Sequence, residues 1–296
     1  MNVAIVQMKP AKGLYAENLQ AAREAFATLA AAPPDLIVFP EAAFTGYFLE
    51  GAVYDLAMEA ERFAADLATA WRDAGGTAGV DVAAGFFEND DGTYYNSAIY
   101  VTVEPDRETI RHVHRKMFLP TYGVFDEERF LSRGRKLSVF ETRFGKMAML
   151  VCEDAWHAIV PTLAAVKGAR ILIVPSASPG RGIDGEGELS SITHWRQTLR
   201  LASMEHGVFT IYAGLTGFEG GKGMTGSSCA IDPRGTVLVE GPPDQACILR
   251  ARLDLREIDL ARASLPLIGD LEAVLPDLLL DEELPLPRGM RDVSAH

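Results

Sequence analysis

Strand-length apolar runs alternate with helix-length segments along most of the chain, and this alternation narrows the fold before any single residue is considered. Residues 3–8 read as a buried strand, 16–31 as an alanine-rich helix, and 36–39 as a short strand bounded by Pro33, Pro34 and Pro40. A helix over 57–74 and strands over 80–87 and 97–103 follow. The scheme then repeats, with a strand at 147–152, a helix at 158–167, a strand at 171–175 and an amphipathic helix at 192–206. In that last helix Ile192, Trp195, Leu199 and Ala202 share one face, as the helical period requires. Strands at 208–213, 228–232, 237–240 and 246–254 complete the series. The pattern predicts an α/β domain whose helices cover the faces of its sheet. No glycine- or serine-rich linker interrupts it, so residues 1–264 are expected to form one domain. Residues 265–296 carry Pro266, Pro276, Pro285 and Pro287 among leucines and acids, and are expected to be a C-terminal tail suited to wrapping a neighbouring subunit.

A length of 296 residues, 48% of them hydrophobic, is enough for a sizeable core. The net charge of −13 argues against a nucleic-acid partner, since phosphate contacts need clustered Lys and Arg. The first eight residues lack the charged, extended form of a secretory signal, and no run reaches the roughly 18 apolar residues of a membrane span. Cys152, Cys229 and Cys247 are odd in number and have no metal-type spacing. A cytoplasmic setting with no membrane association is the expectation, and no metal or organic cofactor is expected.

Three polar residues stand at the ends of apolar or alternating runs. Cys152 closes Met147-Ala-Met-Leu-Val151 and precedes Glu153-Asp154-Ala155-Trp156. A thiol at a rigid strand end projects well into a cleft, and the helix expected beyond it predicts an electropositive setting that favours the thiolate. Cys229 and Cys247 lie inside strand patterns and read as core. Glu41 follows Leu36-Ile-Val-Phe-Pro40 and has apolar neighbours, a setting suited to passing a proton between a thiol and a leaving amine. Lys116 follows Ile110-Arg-His-Val-His-Arg115 and precedes Met117-Phe-Leu-Pro120. A lysine held there needs a carboxylate partner and places positive charge beside a carbonyl oxygen under attack. Each residue alone also has a plainer reading: an inert buried cysteine, a strand-end acid, and a solvated cluster of His114, Arg115 and Lys116.

The three become specific through their order and surroundings. Phe39-Pro-Glu41, Arg115-Lys116-Met-Phe-Leu-Pro120 and Val151-Cys152-Glu-Asp154 resemble the three signature blocks of the nitrilase superfamily of carbon–nitrogen hydrolases. The resemblance extends to Ser176-Ala-Ser-Pro179 and to the glycine-bounded stretch 226–235. It implies a four-layer α-β-β-α sandwich and a Glu-Lys-Cys triad, with Cys152 as nucleophile and Glu41 as general base. Lys116 would stabilise the tetrahedral intermediate, with the backbone N–H of Glu153. A second glutamate of the family best matches Glu127, with Glu128 one residue away. The implied activity is hydrolysis of a non-peptide carbon–nitrogen bond in a small linear amide, through a thioester on Cys152 and without a cofactor.

Within the superfamily, Lys116-Met-Phe-Leu-Pro-Thr-Tyr-Gly-Val-Phe-Asp-Glu127 and Cys152-Glu-Asp-Ala-Trp156 look most like the glutaminase domain of glutamine-dependent NAD synthetases. No Ser-Gly-Gly-type pyrophosphate loop follows in this sequence, so a free-standing amidase is expected ahead of an amidotransferase subunit. Substrate contacts are expected from Tyr47, Tyr122, Glu153, Trp156 and Ser178, with Phe125 in the same aromatic wall. Arg181 or Arg196 would hold a substrate carboxylate; the plainer readings are a loop charge and a helix-surface charge. A nitrilase and an acyltransferase use the same residues, while a non-catalytic interaction protein has no need of the intact triad. A homo-oligomer acting on a small-molecule amide is the expected working form.

Overall fold

Alternate residues of a strand point to opposite faces, and here the central strands of both sheets are buried on both faces. The computed structural model describes residues 1–185 and 187–281. Its first half runs β1 (Asn2–Gln7), α1 (Tyr15–Ala30), β2 (Leu36–Val38), α2 (Val53–Leu56), α3 (Ala60–Asp73), β3 (Val80–Asp90), β4 (Thr93–Val103) and β5 (Glu108–Arg115). The second half runs β6 (Phe140–Thr142), β7 (Gly145–Met149), α4 (Ile159–Val166), β8 (Ile171–Ser176), α5 (Ser190–His206) and β9 (Phe209–Gly214). It continues through β10 (Thr216–Glu219), β11 (Lys222–Thr225), β12 (Cys229–Ile231) and β13 (Val237–Glu240). Then come β14 (Cys247–Arg252), α6 (Arg256–Ser264) and α7 (Leu267–Leu280).

One six-stranded sheet has the order β14-β1-β2-β3-β4-β5, and the other has the order β13-β12-β9-β8-β7-β6. The two orders are counterparts. In each sheet three parallel strands (β1-β2-β3 and β7-β8-β9) are flanked by antiparallel neighbours. The β10–β11 hairpin stands apart as a small ribbon.

Strand periodicity sorts the core into layers. Ile5, Val38, Ala83 and Tyr100 meet Met147, Met149, Ile173 and Ile211 between the sheets. The intervening residues Ala4, Ile37, Val82 and Ile99 pack under Phe26, Leu29, Phe63 and Trp71 of α1 and α3. On the opposite side Ala148, Leu172, Val174 and Tyr212 pack under Ala164, Trp195 and Leu199 of α4 and α5. The result is the expected α-β-β-α sandwich.

The differences from the sequence pattern lie at its polar edges. Strands β3 and β4 run on past their apolar stretches to a tight turn at Asp91-Gly92, where both residues have positive φ (50° and 78°). The hairpin, β6 and helix α6 add elements that the sequence pattern did not mark. Of the proline-bearing stretch from Leu265, residues Leu267–Leu280 form α7, with Pro276 inside it and α4 and α5 as neighbours. Pro285 and Pro287 lie outside the described residues.

Candidate active site

The carboxyl ends of β2, β5 and β7 deliver the site residues to one place. Glu41 lies just beyond β2, Lys116 directly after β5, and Cys152 just beyond β7. Crowding at these ends is tight enough to require glycine at Gly85 of β3, where a Cβ would lie 2.4 Å from the Glu41 Cα. Cys152 has φ +48°, in the left-handed region that side-chain-bearing residues seldom adopt. A strained backbone at a nucleophile follows from the need for a sharp turn out of the strand.

Glu41 and Lys116 are completely buried. The Lys116 Nζ donates to Glu41 Oε1 at 2.8 Å and to Glu127 Oε1 at 2.7 Å. Glu41 Oε1 also accepts from Asn96 Nδ2 at 2.7 Å, and its Oε2 accepts the Ala177 N–H at 2.6 Å. Glu127 opens a short 3-10 turn, and its Oε1 accepts the Tyr47 hydroxyl as well. Its Oε2 is buried with no hydrogen-bond partner among the described residues. Glu127, not Glu128, therefore enters the cluster.

Burial opposes the charge on Lys116, but the adjoining Glu127 and Glu41 carboxylates outweigh it and hold the ammonium well above its usual pKa. Burial pushes the Glu127 carboxyl up to about 7, with Lys116 opposing and Glu41 adding to the shift. The Cys152 thiol is raised well above its ordinary range, chiefly by burial and then by the Glu41 charge. This reverses the expectation of a helix-stabilised thiolate. Residues Cys152–Trp156 form a 3-10 turn and α4 begins only at Ile159, so burial prevails over any helix dipole. A protonated thiol needs a base, and the Lys116 charge together with the Ser176 hydroxyl, which donates to Sγ at 3.2 Å, favours the ionised form.

Asp154 ties the cysteine turn to the lysine segment. Its Oδ1 accepts the N–H groups of Met117 and Phe118 (2.9 and 3.0 Å), and its Oδ2 accepts the Val151 N–H at 3.1 Å. The buried His114 ring lies 2.8 Å from Oδ2. The roles of Asn96, Asp154 and Ser176 emerge only from the fold. Asp154 and Ser176 stand inside recognisable motifs, but their partners are set by chain pairing. Asn96 lies one residue before the apolar run of β4 and carries no local signal.

The remaining candidates surround this cluster. Tyr47 is buried, and its ring meets Phe125 edge-on at 6.0 Å. Tyr122 donates to Glu153 Oε2 at 2.8 Å. Trp156 packs on His194 (4.1 Å) and Trp195 (5.4 Å). Ser178 is buried, and its carbonyl accepts both the N–H and the hydroxyl of Thr225, fixing the β10–β11 hairpin beside the site. Arg196 lies in ion pairs with Glu188 and Glu240, whereas Arg181 sits among Tyr122, Phe125 and Trp156. A flanking cavity of about 230 Å³ shares Tyr47, Phe125 and Glu127 with the site, but Cys152 is not part of its lining.

A buried carboxylate–ammonium cluster beside a strained cysteine, on this sandwich, defines a class of thiol-dependent hydrolase. Residues 2–263 match the carbon–nitrogen hydrolase family, and the chain belongs to that family. It is 29% identical over 272 residues to the 2-oxoglutaramate amidase of Bacillus subtilis, covering 91% of this chain and 96% of that one. It is 28% identical over 259 residues to the glutamine-dependent NAD(+) synthetase of Thermotoga maritima, covering 87% of this chain but 42% of that protein. The chain thus spans less than half the length of that synthetase. The fold is shared with the carbon–nitrogen hydrolase of Helicobacter pylori G27 (TM-score 0.81, 24% identity, 95% of this chain and 99% of that one).

Proposed function

We propose that this chain is an amidase that hydrolyses a small linear amide through a thioester on Cys152. The observation that carries the reading is the bridging of Glu41 and Glu127 by Lys116 beside a thiol kept protonated by burial. Glu41 takes the thiol proton as Sγ attacks the carbonyl carbon, and the C–S bond forms. Lys116, with the Glu153 N–H, stabilises the oxyanion. Glu41 then gives its proton to the amide nitrogen, the C–N bond breaks, and ammonia or an amine leaves. Water loses a proton to Glu41 and attacks the thioester; the acid departs, and the proton returns to sulfur. Tyr47 braces Glu127, while Tyr122, Glu153, Trp156 and Ser178 border the substrate.

A free-standing amidase is supported by the nearly end-to-end match to the 2-oxoglutaramate amidase. The second reading, a glutaminase component of an amidotransferase, is supported by the match to part of the NAD synthetase. Ammonia release from glutamine, aliphatic amides, carbamoyl-amines and nitriles separates them, with Cys152→Ala as control. Release from several amides supports the amidase; release from glutamine alone supports the glutaminase, and release from nitriles alone refutes both.

We read the protein as a cytoplasmic homo-oligomer, with the segment from residue 265 as a subunit contact. In support, α7 leaves Val274, Leu278, Leu279 and Leu280 exposed, Leu280 by 76%. Light scattering on the full chain and on a chain ending at Ser264 tests this; the same number of subunits in both refutes it.

A further inference from the structure

Among the described residues, Arg181 at the rim of the site has no acid for a partner. Arg196 pairs with Glu188 and Glu240, and Arg115 pairs with Glu88 and Asp90. Arg181 forms no ion pair among the described residues, although the chain carries a net charge of −13. Its guanidinium carbon instead lies 5.4 Å from each of three ring centroids, those of Tyr122, Phe125 and Trp156.

The position is anchored. The Arg181 N–H donates to Ser191 Oγ at 3.2 Å, the Ser191 N–H donates to the Arg181 carbonyl at 3.2 Å, and the Gly180 N–H donates to the Gly223 carbonyl at 2.8 Å. Thus α5 and the β10–β11 hairpin hold the base of the loop. The cage is continuous with the catalytic cluster: Trp156 ends the turn that carries Cys152, and Phe125 packs on the Tyr47 that bonds Glu127. An acid tied to the same cage, Glu153, accepts from the Tyr122 hydroxyl and lies 3.9 Å from His157.

Aromatic faces attract a guanidinium without neutralising it, and they leave its planar fork of N–H donors able to take a carboxylate in two parallel hydrogen bonds. Lysine cannot reproduce that fork. We propose that Arg181 recognises a substrate carboxylate, so that the substrate is the ω-amide of a short carboxylic acid, with its amide carbon at Cys152 and its acid on Arg181. This inference rests on the amidase reading and specifies its substrate class.

The test compares glutaramate with valeramide, which carries a methyl group in place of the carboxylate. Malonamate, succinamate and adipamate, each with its matching neutral amide, cover other lengths. The wild-type kcat/KM is expected to favour the acid of the best pair by about 100-fold. Arg181→Met should bring that ratio close to one through a higher KM, and Arg181→Lys should restore part of it. Equal use of acid and neutral amide by the wild type, or an unchanged ratio in Arg181→Met, overturns the inference while leaving the amidase reading intact. Absence of ammonia release from every amide refutes the amidase reading. In that case calorimetry with glutarate still reads the carboxylate site: binding lost in Arg181→Met supports it, and no binding to the wild type overturns it.

Discussion

On the floor of the site, Glu41 and Lys116 are wholly excluded from solvent and joined by a 2.8 Å hydrogen bond, with Glu127 2.7 Å from the same ammonium. On the rim, Tyr122 is 43% exposed and Arg181 rests on aromatic faces, with no acid paired to it among the described residues. The difference teaches where stability and chemistry are coupled. A buried charge cannot lose its partner without cost, so Glu41, Lys116 and Glu127 serve the fold as well as the reaction. Rim residues face water, and their substitution is expected to change which substrate binds more than whether the chain folds.

The sharpest break in that comparison is at Cys152, a floor residue whose sulfur accepts a hydrogen bond from Ser176. Cys152→Ala is predicted to remove turnover by more than about a thousandfold while keeping the unfolding midpoint near wild type. Appreciable residual ammonia release would place the nucleophile elsewhere. Glu41→Gln keeps the shape of the side chain but loses its charge, and a fall in turnover of about 10²- to 10⁴-fold is expected. Lys116→Met should add instability of roughly 3–5 kcal/mol, since two carboxylates would then face each other unpaired. Tyr122→Phe on the rim should cost less than about 0.5 kcal/mol. Denaturant titration of these last two checks the contrast directly, and equal stabilities would break it.

A smaller effect is expected at Ser176. Its hydroxyl donates to the Cys152 sulfur and favours the thiolate, against burial and Glu41. Ser176→Ala should lower kcat/KM about tenfold, the scale of one hydrogen bond to a charged acceptor. It should also move the pH profile of iodoacetamide alkylation upward, with Ser176→Thr restoring it. An unchanged alkylation profile would reduce Ser176 to a packing role.

The floor was far more legible in the sequence than the rim. Glu41, Lys116 and Cys152 announce themselves because strand ends are marked by the stop of an apolar or alternating run, and β2, β5 and β7 end at one place. Their partners are set by pairing across long stretches of chain. Asn96 reaches Glu41 because β4 lies beside β3, and Asp154 reaches Met117 and Phe118 because the two halves meet. The hairpin leaves no strand pattern because Gly217, Gly220, Gly221 and Gly223 interrupt it. Helix α7 was obscured by Pro276. The thiol's pKa direction is not legible in the sequence because burial, the dominant cause, depends on what packs around the turn.

The subtlest expected effect concerns protons on the floor. Burial holds the Glu127 carboxyl up to about 7, against an ordinary value of 4.5, despite the opposing Lys116 charge. An ionised Oε2 would be left in the interior with no donor, which agrees with a protonated acid at low pH. Between these values the folded chain binds more protons at Glu127 than the unfolded chain does. Linkage then requires this contribution to be fully present below the unfolded pKa and to be lost as pH rises through the folded one. The urea midpoint should therefore decline from about pH 4.5 to about pH 7. Glu127→Gln, neutral at every pH and close in shape, should flatten that part of the curve. If the variant keeps the wild-type slope, another group carries the proton, and the floor is less tightly coupled than its hydrogen bonds imply.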